Sequence, residues 1–112
     1  MVKLHPDLKR DWIAALRNPL FKQGKGFLQY DGRSCCLDIL CQLLAEPLNL
    51  NVGFQGKYKS YDGEICLLPS AVMDFTGLDR RATFAPYNTL ARLNDSDSRT
   101  FSEIADVIEQ EF

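Results

Sequence analysis

The stretch Lys22-Gln23-Gly24-Lys25-Gly26 places two glycines, two lysines and an amide side chain side by side. Glycines let backbone N–H groups turn toward an anion, and lysines supply positive charge, so the pattern fits a phosphate contact. Arg17, a short way upstream at the end of a predicted helix, adds a further cation. A Walker loop is excluded, because that motif runs G-x-x-x-x-G-K-[ST] into a helix. Here the glycines lead into Phe27-Leu28-Gln29-Tyr30, which reads as a strand. The competing structural role is a glycine-bearing loop that only positions that strand. Asn94-Asp95 is the second candidate. Its amide could read a polar edge of a base or ribose, and its plainer role is a turn ahead of a helix.

Thiol chemistry is the next possibility. Cys35, Cys36, Cys41 and Cys66 are spaced as C-C-x4-C followed by a distant cysteine, which is not the paired C-x2-C spacing of a zinc site. A cysteine at a helix start can have a depressed pKa and act as a nucleophile. That chemistry needs a base, and the single histidine, His5, lies far upstream near the N-terminus. The cysteines sit beside Leu37, Ile39 and Leu40, so they are expected to be reduced thiols packed in the core. No metal, cofactor or catalytic pair emerges, and the chain does not read as an enzyme.

Elements that would position these residues can be read from periodicity. His5-Pro6-Asp7 looks like a helix start, and Leu8, Trp12, Ala15 and Leu16 share one face before Asn18-Pro19 ends the helix. Asp31-Gly32 is a turn signal. Ser34 is the expected N-cap of a buried helix from Cys35 to Ala45, stopped by Pro47. Between Val52 and Leu68 the residues alternate around Gly53, Gly56 and Gly63, with Ile65-Cys66-Leu67-Leu68 a buried strand candidate. Pro69-Ser70 opens a short helix that Gly77 closes. Asp79 to Pro86, with paired Arg80-Arg81, is expected to be a loop. Thr89 to Leu93 is a strand or a helical turn, and Asn94 to Ser98 a polar turn. Thr100-Phe101-Ser102-Glu103 is a capping box, with Phe101, Ile104, Ala105 and Ile108 on the apolar face of the last helix. The sum predicts an α+β fold in a single domain, residues 1–112, with about four helices packed on a small antiparallel sheet.

Composition agrees. The chain has 112 residues, 46% hydrophobic and 25% charged, which suits one globular domain. A formal net charge of -2 argues against broad nucleic-acid binding, and Asp106, Glu109 and Glu111 on the last helix would repel phosphates. No apolar run approaches the roughly 18 to 20 residues of a membrane span. The start, Met-Val-Lys-Leu-His-Pro-Asp, has no apolar signal region, so a cytoplasmic location is expected.

The segments W-I-A-A-L-R-N-P-L-F-K-Q-G-K-G-F-L and C-C-L-D-I-L-C, with L-N-D and F-S-E-I-A-D-V-I-E near the end, resemble a family of small tailed-bacteriophage proteins. That family's pattern runs W-x-x-A-L-R, Q-G-x-G-x-L, C-C-L-x-x-L-C, then L-N-D and F-x-x-I-A-D-x-I-E. The resemblance spans most of the chain. Departures are Asn18-Pro19-Leu20-Phe21 in place of small-glycine-x-tyrosine, Asp38 where glycine is usual and Gln42 where aspartate is usual. The resemblance implies a phage origin and action in the host bacterial cytoplasm, where small accessory proteins often counter host defence. It carries no biochemical assignment.

These observations together favour a non-enzymatic phage accessory protein that binds and sequesters a small anionic, nucleotide-like ligand. Arg17, Lys22 and Lys25 would hold phosphate, Gln23 and the Gly24 and Gly26 amides would orient it, and Asn94 with Asp95 would read a polar edge. The alternative is an inhibitor or adaptor of a host protein, acting through an aromatic surface of Phe54, Tyr58, Tyr61 and Phe84.

Overall fold

Pro6 opens helix α1 (Pro6–Leu16), where its missing N–H is harmless, and His5 Nδ1 accepts from the Asp7 amide at 3.2 Å. The computed structural model describes residues 3–112, so Met1 and Val2 of the N-terminal segment lie outside the described residues. The apolar face of α1 carries Trp12 and Leu16 into the core. Trp12 Nε1 donates to the Cys36 carbonyl at 3.0 Å, which ties α1 to helix α2 (Cys36–Ala45). Helix α5 (Phe101–Glu111) lies against α1, and its capping box between Thr100 and Glu103 is formed as expected. The Leu4 amide donates to the Phe112 carbonyl, joining the two ends of the chain.

Beside the helices lies a four-stranded antiparallel sheet in the order β2-β1-β4-β3, built from β1 (Gln29–Tyr30), β2 (Arg33–Ser34), β3 (Val52–Gln55) and β4 (Tyr58–Tyr61). Asp31 and Gly32, both at positive φ, turn β1 into β2. A short helix α3 (Ser70–Thr76) ends at Gly77 in the left-handed conformation. The last unit is a hairpin of β5 (Thr83–Ala85) and β6 (Asn88–Thr89), running directly into helix α4 (Leu90–Asp95). The α+β class and single domain are therefore as expected, with five helices among the described residues. Among the described residues no helix is long and apolar enough to cross a membrane.

Five local expectations are corrected. Ser34 is the last residue of β2, and the N-cap of α2 is Cys35, whose side chain makes no capping bond. Ile65 to Leu68 is not a strand. It is held by single backbone bonds, from the Leu28 amide to the Ile65 carbonyl and from the Leu68 amide to the Arg80 carbonyl. Cys66 in this segment is exposed, unlike the other three cysteines, because its stretch runs along a cleft rather than through the core. The expected loop after Asp79 contains β5, and the helical turn after Thr89 continues through Asn94 and Asp95.

Candidate functional site

The loop after α1 and the end of α4 do come together, and Gln23 and Asn94 are the reason. The Gln23 amide nitrogen donates to Asn94 Oδ1 at 2.9 Å and to the Arg99 carbonyl at 2.7 Å. The Gln23 amide oxygen accepts from the Phe101 backbone at 3.1 Å, at the first residue of α5. Asn94 is fully buried. Its nitrogen donates to the Gly24 carbonyl and to Asp95 Oδ1, both at 2.8 Å. Its oxygen also accepts from the Cys36 amide at 3.3 Å. This last bond explains the missing local cap of α2. A helix start leaves orphan N–H groups, the Cys35 thiol does not serve them, and Asn94 reaches in from α4 to do so.

The glycine amides are engaged in the same network. The Gly24 amide donates to the Ser34 carbonyl at 2.7 Å, and the Gly26 amide donates to Asp95 Oδ1 at 2.9 Å. A side chain at position 24 would meet Arg33 Cβ at 2.9 Å and its carbonyl oxygen at 3.0 Å, so only glycine fits this approach to β2. Lys25 Nζ reaches Ser98 Oγ at 2.6 Å, and the Lys22 side chain is exposed. Arg17 is held separately, by Asp106 at 2.5 Å and Glu109 at 3.5 Å on α5. Of the eight residues expected to contact a ligand, Gln23, Gly24, Lys25, Gly26, Asn94 and Asp95 bond within this network or beside it. Lys22 flanks the network, and Arg17 does not join it.

On the other side of Asp95 lies an open cleft of about 490 Å³. Its walls include Arg81, Arg92, Thr89, Ser96, Asp95 and the exposed Cys66. The Arg81 carbonyl accepts from the Ala91 amide at 3.2 Å, and the Ala82 carbonyl accepts from the Leu90 amide at 3.0 Å. These two bonds set the arginine pair against the first turn of α4. Arg92 Nη1 donates to the Tyr87 carbonyl at 3.2 Å, and its Nε lies 3.8 Å from Asp97. Burial would raise the Asp79 carboxyl, but hydrogen bonds from the Thr83 hydroxyl and amide, helped by the Arg81 charge, outweigh it and hold the group below its usual range. Arg81 and Arg92 are functional candidates that the sequence reading did not select. The available signal was the Arg80-Arg81 pair ahead of the hairpin.

A second cleft, also about 490 Å³, runs along the β5–β6 hairpin between Phe84, Pro86, Tyr87 and Glu111. Tyr87 at its tip is 91% exposed and has a φ of +66°. A bulky side chain rarely adopts this backbone geometry. Elsewhere, Phe27, Tyr30 and Tyr58 form an aromatic cluster on one face of the sheet, with Phe27–Tyr58 and Tyr30–Tyr58 centroids 4.6 and 4.8 Å apart. Tyr61, expected on an aromatic surface, is instead fully buried, because the opposite face of β4 packs toward α2. Burial and the nearby Asp38 carboxylate push its hydroxyl pKa up.

Burial disfavours the thiolate form of the three core cysteines. Burial pushes Cys35 up to about 12, and raises Cys36 and Cys41 as well. Asp38 is fully buried on α2, and its Oδ2 accepts from Gln42 Nε2 at 2.7 Å and from Gln29 Nε2 at 3.4 Å. The two departures at 38 and 42 thus meet as one hydrogen-bonded pair, one turn apart on the same helix.

No curated protein and no solved structure matches the chain. A family model does match it, over residues 4–112, and that match covers nearly every described residue. The chain belongs to the family described as Domain of unknown function (DUF8296).

Proposed function

We propose that this is a non-enzymatic binding protein that holds a small anionic, nucleotide-like ligand in the cleft between the Arg80–Arg81 segment and α4. The observation that carries the reading is the placement of Arg81 and Arg92 on one cleft with Thr89 and Ser96. Planar guanidinium groups recognise phosphate and carboxylate through paired hydrogen bonds, and hydroxyls complete such a contact. An anion would replace Asp97, which holds Arg92 only at 3.8 Å. The Lys22–Gly26 loop supports the cleft from behind, through Asp95, and its Gly24 and Gly26 amides are bonded within the protein. In the setting that the phage resemblance implies, the protein acts in the host bacterial cytoplasm and sequesters a nucleotide-derived defence signal.

A thermal-shift screen with nucleotides and cyclic nucleotides tests this. Ligand at about 100 times its Kd stabilises a protein by about 2.7 kcal/mol. Arg81→Ala and Arg92→Ala should abolish the shift, whereas Lys22→Ala should keep it. A screen without any shift at high excess would sink the proposal.

A second reading, a docking site for a host protein, is favoured by Tyr87. An aromatic side chain held in full exposure on a left-handed backbone costs stability, and such strain is often kept at binding sites.

A further inference from the structure

Strand β3 is an open edge of the sheet and carries no charge from Asn51 to Gln55. Its inner edge is occupied. Gly53 and Gln55 pair with Ser60 and Tyr58 of β4, and the Asn51 carbonyl accepts from the Asp62 amide at 2.8 Å. Backbone groups alternate direction along a strand, so the N–H and C=O groups of Val52 and Phe54 point away from β4. Their side chains, on one face, are 43% and 67% exposed. Natural edges are usually blunted by lysine, proline or an inward charge. This edge has none of these.

We infer that β3 pairs with β3 of a second copy, antiparallel across a two-fold axis at Gly53. The outward groups are symmetric about Gly53, which makes the edge complementary to itself. Val52 of one copy faces Phe54 of the other, twice, and each facing pair exchanges two backbone hydrogen bonds. The two apolar side chains of each copy cover those of the other. Gly53 faces Gly53, so no side chains crowd each other on the opposite face at the axis. Asn51 faces Gln55, and no like charges meet. Any extended peptide supplies the backbone groups, but a second copy also brings the apolar partners at the bonding positions and the uncharged residues on either side of them. The result is one continuous eight-stranded sheet. One strand per copy makes a small interface, so the dimer should form at roughly 10 µM to 1 mM protein.

Sedimentation over that range and amide hydrogen exchange by NMR test the inference on the full chain. The expected result is a monomer–dimer equilibrium in which the Val52 and Phe54 amides slow with concentration while Gly53 and Gln55 do not. Phe54→Lys should weaken the dimer by about tenfold or more. The double variant Val52→Glu/Phe54→Lys should restore it, because each introduced carboxylate then faces an introduced ammonium only in this register. A monomer at all concentrations, including one whose edge takes up an extended peptide instead, overturns the inference. So does a dimer that Phe54→Lys leaves intact, or one that the double variant does not rescue.

Discussion

Asn94→Ala is the substitution that separates a structural amide from a ligand-reading one. Two backbone groups lose their partner outright, the Gly24 carbonyl and the Cys36 amide. Each buried orphan costs about 1–3 kcal/mol. The Gln23 nitrogen and Asp95 Oδ1 keep other partners, the Arg99 carbonyl and the Gly26 amide, so those two losses cost about 0.5–1 kcal/mol each. The total is about 3–8 kcal/mol, a large share of the 5–15 kcal/mol typical of a domain. At about 4 °C per kcal/mol for a chain of this length, Tm should fall by at least about 12 °C. Urea and thermal unfolding followed by circular dichroism measure it. Asn94→Asp sharpens the test, because it aims an oxygen at the Gly24 carbonyl and at Asp95. The folded state should hold that carboxyl protonated, with its pKa above the unfolded value of about 3.9. The variant should therefore be most stable at acid pH and lose stability as pH rises through the raised value. A loss under about 1 kcal/mol for Asn94→Ala would refute the structural role.

Gly24→Ala should destabilise by about 1–3 kcal/mol, because the new methyl meets Arg33 within 3.0 Å, and denaturant melts read this directly. The native protein should react with a thiol reagent at Cys66 alone, and unfolding should expose all four cysteines. The buried thiols also set an alkaline limit. Cys35 keeps its proton up to about 12 in the fold against an ordinary 9.0, so the unfolded chain binds fewer protons between those values and stability falls with rising pH. Each such thiol contributes about 1.4 kcal/mol per pH unit, and stability that stays flat from about pH 9 to 11 would contradict this. Tyr87→Gly relieves the left-handed strain and should leave stability unchanged or raised by up to about 1 kcal/mol, while weakening any partner that uses the aromatic ring.

The helices were legible where local signals agree with packing. The face of α1, the capping box of α5 and the Gly77 stop of α3 each depend on residues within a few positions of one another. Misreadings arose where a distant residue decides. Ser34 has the chemistry of an N-cap, but α2 begins at Cys36 and takes its cap from Asn94, in α4. Ile65 to Leu68 has strand composition, yet isolated bonds to Ile65 and from Leu68 do not make a ladder. Tyr61 alternates correctly within β4, but only the packing of the sheet toward α2 shows which face is buried. The candidate site follows the same logic. Amides, glycines and lysines in Lys22–Gly26 have ligand chemistry, and so does Asn94-Asp95. The fold brings the two segments together, where they bond to each other and to Ser34, Cys36, Arg99 and Phe101. Arg81 and Arg92 become neighbours on a cleft only because the β5–β6 hairpin folds back onto the start of α4.

Titration calorimetry of the wild-type protein and Arg81→Ala with the nucleotide giving the largest thermal shift tests the binding proposal most directly. The expected result is saturable binding that weakens with salt, as charge pairing requires, and that is lost in Arg81→Ala while Lys25→Ala retains it. Binding that survives Arg81→Ala and disappears in Lys25→Ala would contradict it and return the site to the glycine loop.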